Sequence, residues 1–159
     1  MEHFSLDYAH KLNVLLNEAS THIKRVDEAI EELSRHYSFP IDSQQFQKIL
    51  LERGHLAFAD QMIYRFSKAQ DTIGAKVFKA FFLFQGENVD KPFLDLLNQL
   101  EKLNIVDVDQ WFLLREVRNT IAHEYESHHQ QACEILNAIY QHRHLLSNIL
   151  AELRVKSGL

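Results

Sequence analysis

The chain has 159 residues, of which 46% are hydrophobic and 25% charged, and its formal net charge is −5 with the histidines neutral. This length and composition are typical of a globular domain with its own core, and they exclude a disordered chain. We expect a single domain over residues 1–159. Because the chain is acidic, any activity on RNA requires a local basic patch.

The sequence predicts a cytoplasmic protein that does not associate with membranes. No segment approaches the roughly 20 apolar residues that cross a bilayer. The N-terminal residues, MEHFSLDYAHKL, lack the basic and apolar regions of a signal peptide. The single cysteine, Cys133, excludes an intrachain disulfide and is typical of a reducing compartment.

Hydrophobic residues at helical spacing divide the chain into helices, and Gly occurs only four times and Pro twice to interrupt them. The first predicted helix begins after Asp7 and ends before Pro40, which cannot continue a helix. Asp42 or Ser43 is predicted to cap the second helix, and Gly54 to close it.

The block from 55 to 85 is predicted to be the central helix, because Leu, Ile, Phe and Ala form one apolar stripe along it. Gln70 is a polar interruption in this stripe, and the helix ends at Gly86. We interpret Gly74 as a point of close packing rather than a break. A fourth helix is predicted to begin near Pro92.

The remaining helices complete an all-α fold. A fifth helix is predicted to begin at Asp107 or Asp109, and a last long helix is capped by Ser127. An alternating pattern that could form a strand occurs only at 103–108. The fold predicted from the sequence is an antiparallel bundle of about five or six helices.

The end of the fifth helix, REVRNTIAHEY, contains the strongest functional candidates. His123 can exchange a proton near neutral pH, and Arg118 carries a planar fork of donors that suits phosphate oxygens. In a straight helix these positions are about 140° apart around the axis. Asn119 and Thr120 are poor helix formers, so a break near Asn119 is permitted, and it would bring Arg118 and His123 together.

The stretch RNTIAHEY, from Arg118 to Tyr125, resembles the R-x-x-x-x-H-x-Y signature of the HEPN superfamily, especially its HepT-like toxin branch. Members of the family are bundles of four or five helices, and the signature precedes the final long helix. The resemblance implies a metal-independent endoribonuclease that needs no cofactor. In such enzymes two signatures face each other across the cleft of a homodimer.

The resemblance also implies a role for each signature residue. Arg118 and His123 would be catalytic and Asn119 would assist them. Arg115 lies outside the signature; in a dimer, Arg115 and Arg118 would be doubled by symmetry, and Arg115 would bind the RNA substrate. Tyr125 matches the tyrosine that a nucleotidyltransferase antitoxin modifies with AMP in some toxin–antitoxin pairs. The anionic adduct would repel RNA from the cleft.

Other functions remain open at the level of sequence. A non-catalytic HEPN subunit could bind a nucleotide or a nucleotidyltransferase partner. A helical scaffold could carry the motif by coincidence, with Arg118 and His123 as solvated groups at a helix end. Four cations of the central helix could add a basic rim, namely Arg65, Lys68, Lys76 and Lys79, although residues of this kind more often form the solvated edge of a core helix.

The ten histidines suggest metal binding, but one cysteine falls short of a structural zinc pattern. His129 and Cys133, at i and i+4, are the nearest approach to such a pair. We therefore predict no metal site and interpret Cys133 as a small buried hydrophobic residue. The acidic run at Glu28, Glu31 and Glu32 is interpreted as a solvated helix face.

Overall fold

The computed structural model describes residues 2–124 and 129–159. All regular structure in these ranges is helical, which confirms the all-α prediction. The elements in chain order are α1 (Glu2–Ser34), α2 (Ser43–Leu51), α3 (Arg53–Thr72), a π-helical turn (Ile73–Val77), α4 (Phe78–Phe84), α5 (Phe93–Lys102), α6 (Val108–Glu124), α7 (His129–Gln141) and α8 (Arg143–Ser157). The π turn joins α3 directly to α4, so these three elements occupy the predicted central helix.

Helix α3 is the centre of the bundle, as its apolar stripe predicted. It packs along α1 and also contacts α2, α6 and α7, while α8 returns to pack on α1. Its inner face carries Met62, Phe66 and Ala69, which are all almost completely buried. None of the described helices is both long and apolar enough to cross a membrane.

The predicted N-caps of two helices are confirmed. An Asp42 carboxylate oxygen accepts a hydrogen bond from the Gln45 amide at 2.8 Å, and Asp107 accepts one from the Gln110 amide at 3.1 Å. These bonds satisfy backbone donors that the first turn of a helix leaves unpaired. Of the two candidate caps for the fifth helix, the structure therefore selects Asp107.

The boundary between α2 and α3 differs from the prediction. Gly54 does not close α2, which ends at Leu51; it lies in the first turn of α3. Glu52 has an extended backbone that ends α2, and its side chain accepts a hydrogen bond from the Gly54 amide at 2.9 Å. One residue thus ends one helix and caps the next.

Two other predicted boundaries were wrong. Helix α1 begins at Glu2 rather than after Asp7. The predicted last helix is interrupted at His142, where the backbone leaves helical geometry between α7 and α8. The alternating segment 103–108 forms no strand, in agreement with the all-α prediction, and Asn104 within it turns the chain with a positive φ of 58°. The predicted cap Ser127 lies outside the described residues.

Helix α6 contains no break at Asn119. It continues through Asn119 and Thr120 to Glu124, so the propensities of two residues do not stop it. The Thr120 hydroxyl donates a hydrogen bond to the Glu116 carbonyl at 2.9 Å, one turn earlier in the same helix. A threonine that bonds in this way is compatible with a helix interior.

Gly74 is a point of close packing, as predicted. A Cβ atom built at this position would lie 2.8 Å from Cζ2 of Trp111, which is 1% exposed. The absence of a side chain at Gly74 therefore lets the π turn approach the indole of α6. Since Trp111 also packs against Phe78, at a ring-centroid distance of 5.0 Å, the indole has little room to move away.

We predict that Gly74→Ala destabilises the protein by about 1–3 kcal/mol, because the added methyl group overpacks a filled interior. Urea unfolding followed by circular dichroism measures this change. Gly54→Ala is the matched control: its Cβ would meet only the end of the flexible Glu52 side chain, at 3.3 Å. Equal stability of Gly74→Ala and wild type would show that Gly74 and Trp111 are not in this contact.

Candidate functional site

A cleft of about 620 Å³ opens where the C-terminal end of α3 and the π turn face α5 and α6. Gly74 and Trp111 line it together with Phe93 and Leu96 of α5. Phe93 lies 6.3 Å from Trp111, measured between ring centroids. One part of the cleft wall is therefore aromatic and fixed by the core, and its volume lies within the usual range for small-molecule sites.

The cleft is locally positive in an acidic protein. Four cations line it, and Asp71 is the one carboxylate among its lining residues. The cations are Lys79 of α4, Lys91 of the segment before α5, and Arg115 and Arg118 of α6. This is the local basic patch that an activity on RNA requires, and it would attract an anionic ligand.

Three residues from the candidate motif lie in this cleft. Arg115, Arg118 and Asn119 all contribute to its lining. His123 belongs to α6, but the structure describes only its backbone, and Tyr125 lies outside the described residues. Since α6 is continuous, positions 118 and 123 are about 140° apart around its axis. The expected local break therefore does not bring Arg118 and His123 together.

Arg118 is held by a bidentate ion pair with Asp71. Its Nε and one terminal nitrogen each donate to an Asp71 carboxylate oxygen at 3.2 Å. The side chains are 30% and 52% exposed, so solvent screens the pair and its contribution to stability is at most about 1 kcal/mol. The parallel geometry fixes the plane of the guanidinium, and Asp71 occupies donors that a phosphate would otherwise use.

The Arg118–Asp71 pair lies between two clefts. Both residues also line a second cleft of about 370 Å³, together with Ser67, Lys68 and Ile121. An anion that displaced Asp71 from Arg118 would therefore sit where the two clefts meet. Of the four cations predicted for a basic rim, Lys79 lines the larger of these two clefts and Lys68 the smaller one, whereas Arg65 and Lys76 line neither.

Two buried polar side chains in the larger cleft have no hydrogen-bond partner among the described residues. Gln70 is 3% exposed, and both its amide nitrogen and its amide oxygen are unpartnered. Trp111 Nε1, on the adjacent helix, is also unpartnered. A buried polar group left unsatisfied costs about 1–3 kcal/mol. Gln70 and Trp111 therefore introduce an unfavourable free energy of burial that apolar side chains at these positions would not introduce.

Sequence reasoning did not identify Asp71, Gln70 or Trp111 as site residues. Gln70 did give a signal, since it is a polar residue on the apolar stripe of the central helix. Trp111 and Arg118 are separated by seven positions, with Arg115 between them at the i+4 position, so all three share one face of α6. The sequence shows this spacing on α6, but it does not show which residues of α3 lie opposite that face.

Other candidate sites have ordinary explanations. A cleft of about 690 Å³ between α1 and α3 is rich in carboxylates, and these pair with neighbouring arginines. Glu28 contacts Arg25 at 2.8 Å, and Glu32 contacts Arg35 at 3.0 Å, with Glu31 at 3.5 Å from the same arginine. The acidic run is thus a solvated face, as predicted.

Cys133 is 6% exposed, which confirms that it is a buried residue. Burial raises the pKa of its thiol, and nearby Asp42 adds to the effect. Since the thiolate is the nucleophilic form, this environment does not favour cysteine chemistry. Within the described ranges, no group of three or more His, Cys, Asp or Glu side chains is placed to hold a metal ion.

Comparison of the chain with protein-family models, curated proteins and solved structures gave no match.

We predict that Asp71→Asn strengthens binding to heparin about fivefold, because it removes the counter-charge of Arg118 from the cleft. The change is measured as the dissociation constant at fixed low ionic strength. The free energy of unfolding should change by less than about 1 kcal/mol.

Asp7→Asn is the matched control, since Asp7 is an exposed carboxylate paired with Lys11 at 3.3 Å, outside the cleft. It should leave heparin binding nearly unchanged. If the two variants bind heparin equally well, the effect belongs to net charge and not to the cleft.

Proposed function

We propose that the protein is a metal-independent endoribonuclease of the HEPN type and the toxin of a toxin–antitoxin pair. The observation that carries the proposal is the position of Arg115, Arg118 and Asn119 in one positively lined cleft. Arg118 and Asn119 belong to the R-x-x-x-x-H-x-Y stretch, and Arg115 lies three positions before it. The chain as a whole is acidic, so a cluster of four cations around this stretch favours an anionic substrate.

The proposed reaction uses the RNA as its own nucleophile. The ribose 2′-hydroxyl attacks the adjacent phosphorus, and the bond from phosphorus to the 5′-oxygen of the next nucleotide breaks. His123 transfers a proton in this step, and the leaving 5′-oxygen ends protonated. Arg118 stabilises the added negative charge on the phosphoryl oxygens, and Asn119 orients the phosphate. The products are a 2′,3′-cyclic phosphate and a 5′-hydroxyl.

Asp71 would act as a positioning residue. Its two hydrogen bonds hold the Arg118 guanidinium in a single plane at the junction of the two clefts. A phosphate would replace or share these bonds, because a charged phosphoryl group also accepts from two parallel N–H donors. The free protein thus keeps Arg118 oriented before the substrate arrives.

Positions 118 and 123 face different directions on one continuous helix, but in a homodimer position 118 of one copy can lie close to position 123 of the other. Two copies related by a twofold axis present the same surface to each other. The exposed apolar side chains of α6 include Phe112, which is 42% exposed, and Leu113, which is 40% exposed. Burying these apolar side chains between two copies would place two α6 helices side by side, so that one composite site contains both Arg118 and His123.

The expected antitoxin is a nucleotidyltransferase that transfers AMP to Tyr125. Tyr125 follows Arg118 by seven positions, at the end of the same motif. An AMP group there would add negative charge to a motif whose arginine lines a positively charged cleft. Modification would therefore oppose the binding of RNA.

One observation favours a second candidate, a non-catalytic subunit that binds a nucleotide or a nucleotidyltransferase. The Arg118 guanidinium is already paired with Asp71, so the residue expected to stabilise the phosphate has an internal partner. A binding protein could use the same cleft without any proton transfer. The two candidates differ in whether RNA is cut.

The test is cleavage of labelled tRNA and mRNA by purified protein in EDTA. We expect the wild type to cut and to leave 2′,3′-cyclic phosphates. Arg118→Ala and His123→Ala should each lose about 100-fold or more of the rate. Arg35→Ala is the control, since Arg35 is an exposed arginine paired with acids of α1 outside the cleft, and it should cut normally.

Equal cleavage by wild type and by His123→Ala would overturn the assignment of the site. Absence of cleavage by every variant, from a folded dimer, would overturn the ribonuclease and favour the binding subunit.

A further inference from the structure

We propose that the inner end of the 620 Å³ cleft between α3, α5 and α6 is a nucleobase subsite, in which Gln70 and Trp111 read the base while Lys79 and Arg115 hold its phosphate. This inference rests on the proposed function, since it names the part of the RNA that the cleft recognises. It adds Gln70 and Trp111, neither of which belongs to the R-x-x-x-x-H-x-Y stretch.

The first support is the state of the buried polar atoms. Gln70 is 3% exposed and lines the cleft, and its donor and its acceptor both lack a partner among the described residues. Trp111 Nε1, a donor, is in the same state and lines the same cleft. Buried polar groups in proteins are nearly always hydrogen-bonded. Three unpartnered atoms of residues that line one cleft therefore point to a ligand that pairs with them after displacing the groups that cover them.

The second support is the chemistry of the three atoms. A carboxamide offers a donor and an acceptor side by side, which matches the hydrogen-bonding edge of a base. Glutamine pairs in this way with the amino group and N7 of adenine. The indole N–H of Trp111 adds one donor. The neighbouring Phe93 and Leu96 provide an apolar wall suited to a planar ring.

The third support is the backbone around the subsite. The π turn starts three residues after Gln70, and such turns are frequent at functional sites. Gly74, within the turn, packs directly against the Trp111 indole, since a Cβ there would lie 2.8 Å from its Cζ2 atom, and this contact fixes the indole at the wall of the cleft. The phosphate can be bound by three cations that line the same cleft, Lys79, Lys91 and Arg115.

The experiment is a titration of the full-length protein with AMP, GMP, CMP, UMP and ribose 5-phosphate. Trp111 is the only tryptophan of the chain, so its intrinsic fluorescence reports directly on the subsite. We expect AMP to bind most tightly, with a dissociation constant at least about tenfold below that of ribose 5-phosphate. Equal binding of all five compounds would show an anion site without base recognition and would overturn the proposal.

Gln70→Leu tests the residue itself, because leucine is similar in size and lacks the amide atoms. It should lose the preference for AMP while its resistance to urea stays equal or rises, since an unpaired buried polar group has been removed. Lys79→Ala should instead weaken the binding of all five compounds to the same extent. Gln99→Leu, a half-buried glutamine of α5 outside the cleft, is the matched control and should bind AMP like the wild type.

A less stable Gln70→Leu protein with unchanged AMP preference would show that Gln70 is structural, and this would overturn the proposal. The nucleobase subsite and the ribonuclease activity can also be tested separately. Base-selective binding without RNA cleavage would support the subsite and contradict the enzyme. Cleavage that is equally fast and equally selective in Gln70→Leu would support the enzyme and contradict the subsite.

Discussion

The contact between Gly74 and Trp111 is the constraint on which the site depends. A Cβ at position 74 would lie 2.8 Å from the indole, so α6 can approach the π turn at this distance only because residue 74 is glycine. This approach sets the register between the central helix and α6. Asp71 then comes within 3.2 Å of Arg118, and Gln70 lies in the same cleft as Arg115.

The cleft also shows where the protein departs from the arrangement that would be most stable. A leucine at position 70 would continue the apolar stripe of α3, whereas Gln70 leaves two buried polar atoms without a partner. The four cations around the cleft repel one another, and only Asp71 among the lining residues offsets them. Departures of this kind concentrate at functional sites, because a ligand supplies the missing partners.

Much of the fold could be predicted from the sequence, since hydrophobic periodicity and cap residues act locally. The caps at Asp42 and Asp107, the central helix and the close packing at Gly74 are all confirmed. The errors occurred where local propensity competed with a longer element. Asn119 did not break α6, because one or two poor helix formers cost less than the packing of the helix provides.

The site was only partly predictable, for a different reason. The signature lies on one helix, and a motif read along the chain identifies Arg118 and Asn119 without showing what faces them. Asp71 and Gln70 lie nearly fifty positions earlier, on α3, and they reach the site through helix packing. Nothing in the local sequence pairs residues at such a separation. A polar residue on an apolar stripe, as at Gln70, was the available sign.

The central claim is that RNA occupies the cleft between α3, α5 and α6. Photo-crosslinking of a 4-thiouridine RNA to the His123→Ala protein, followed by mass spectrometry of the peptides, tests it most directly. We predict crosslinks on peptides that contain Trp111, Phe93 or the π turn at Ile73–Val77. Crosslinks confined to the carboxylate-rich cleft between α1 and α3, or spread evenly over the surface, would contradict the account.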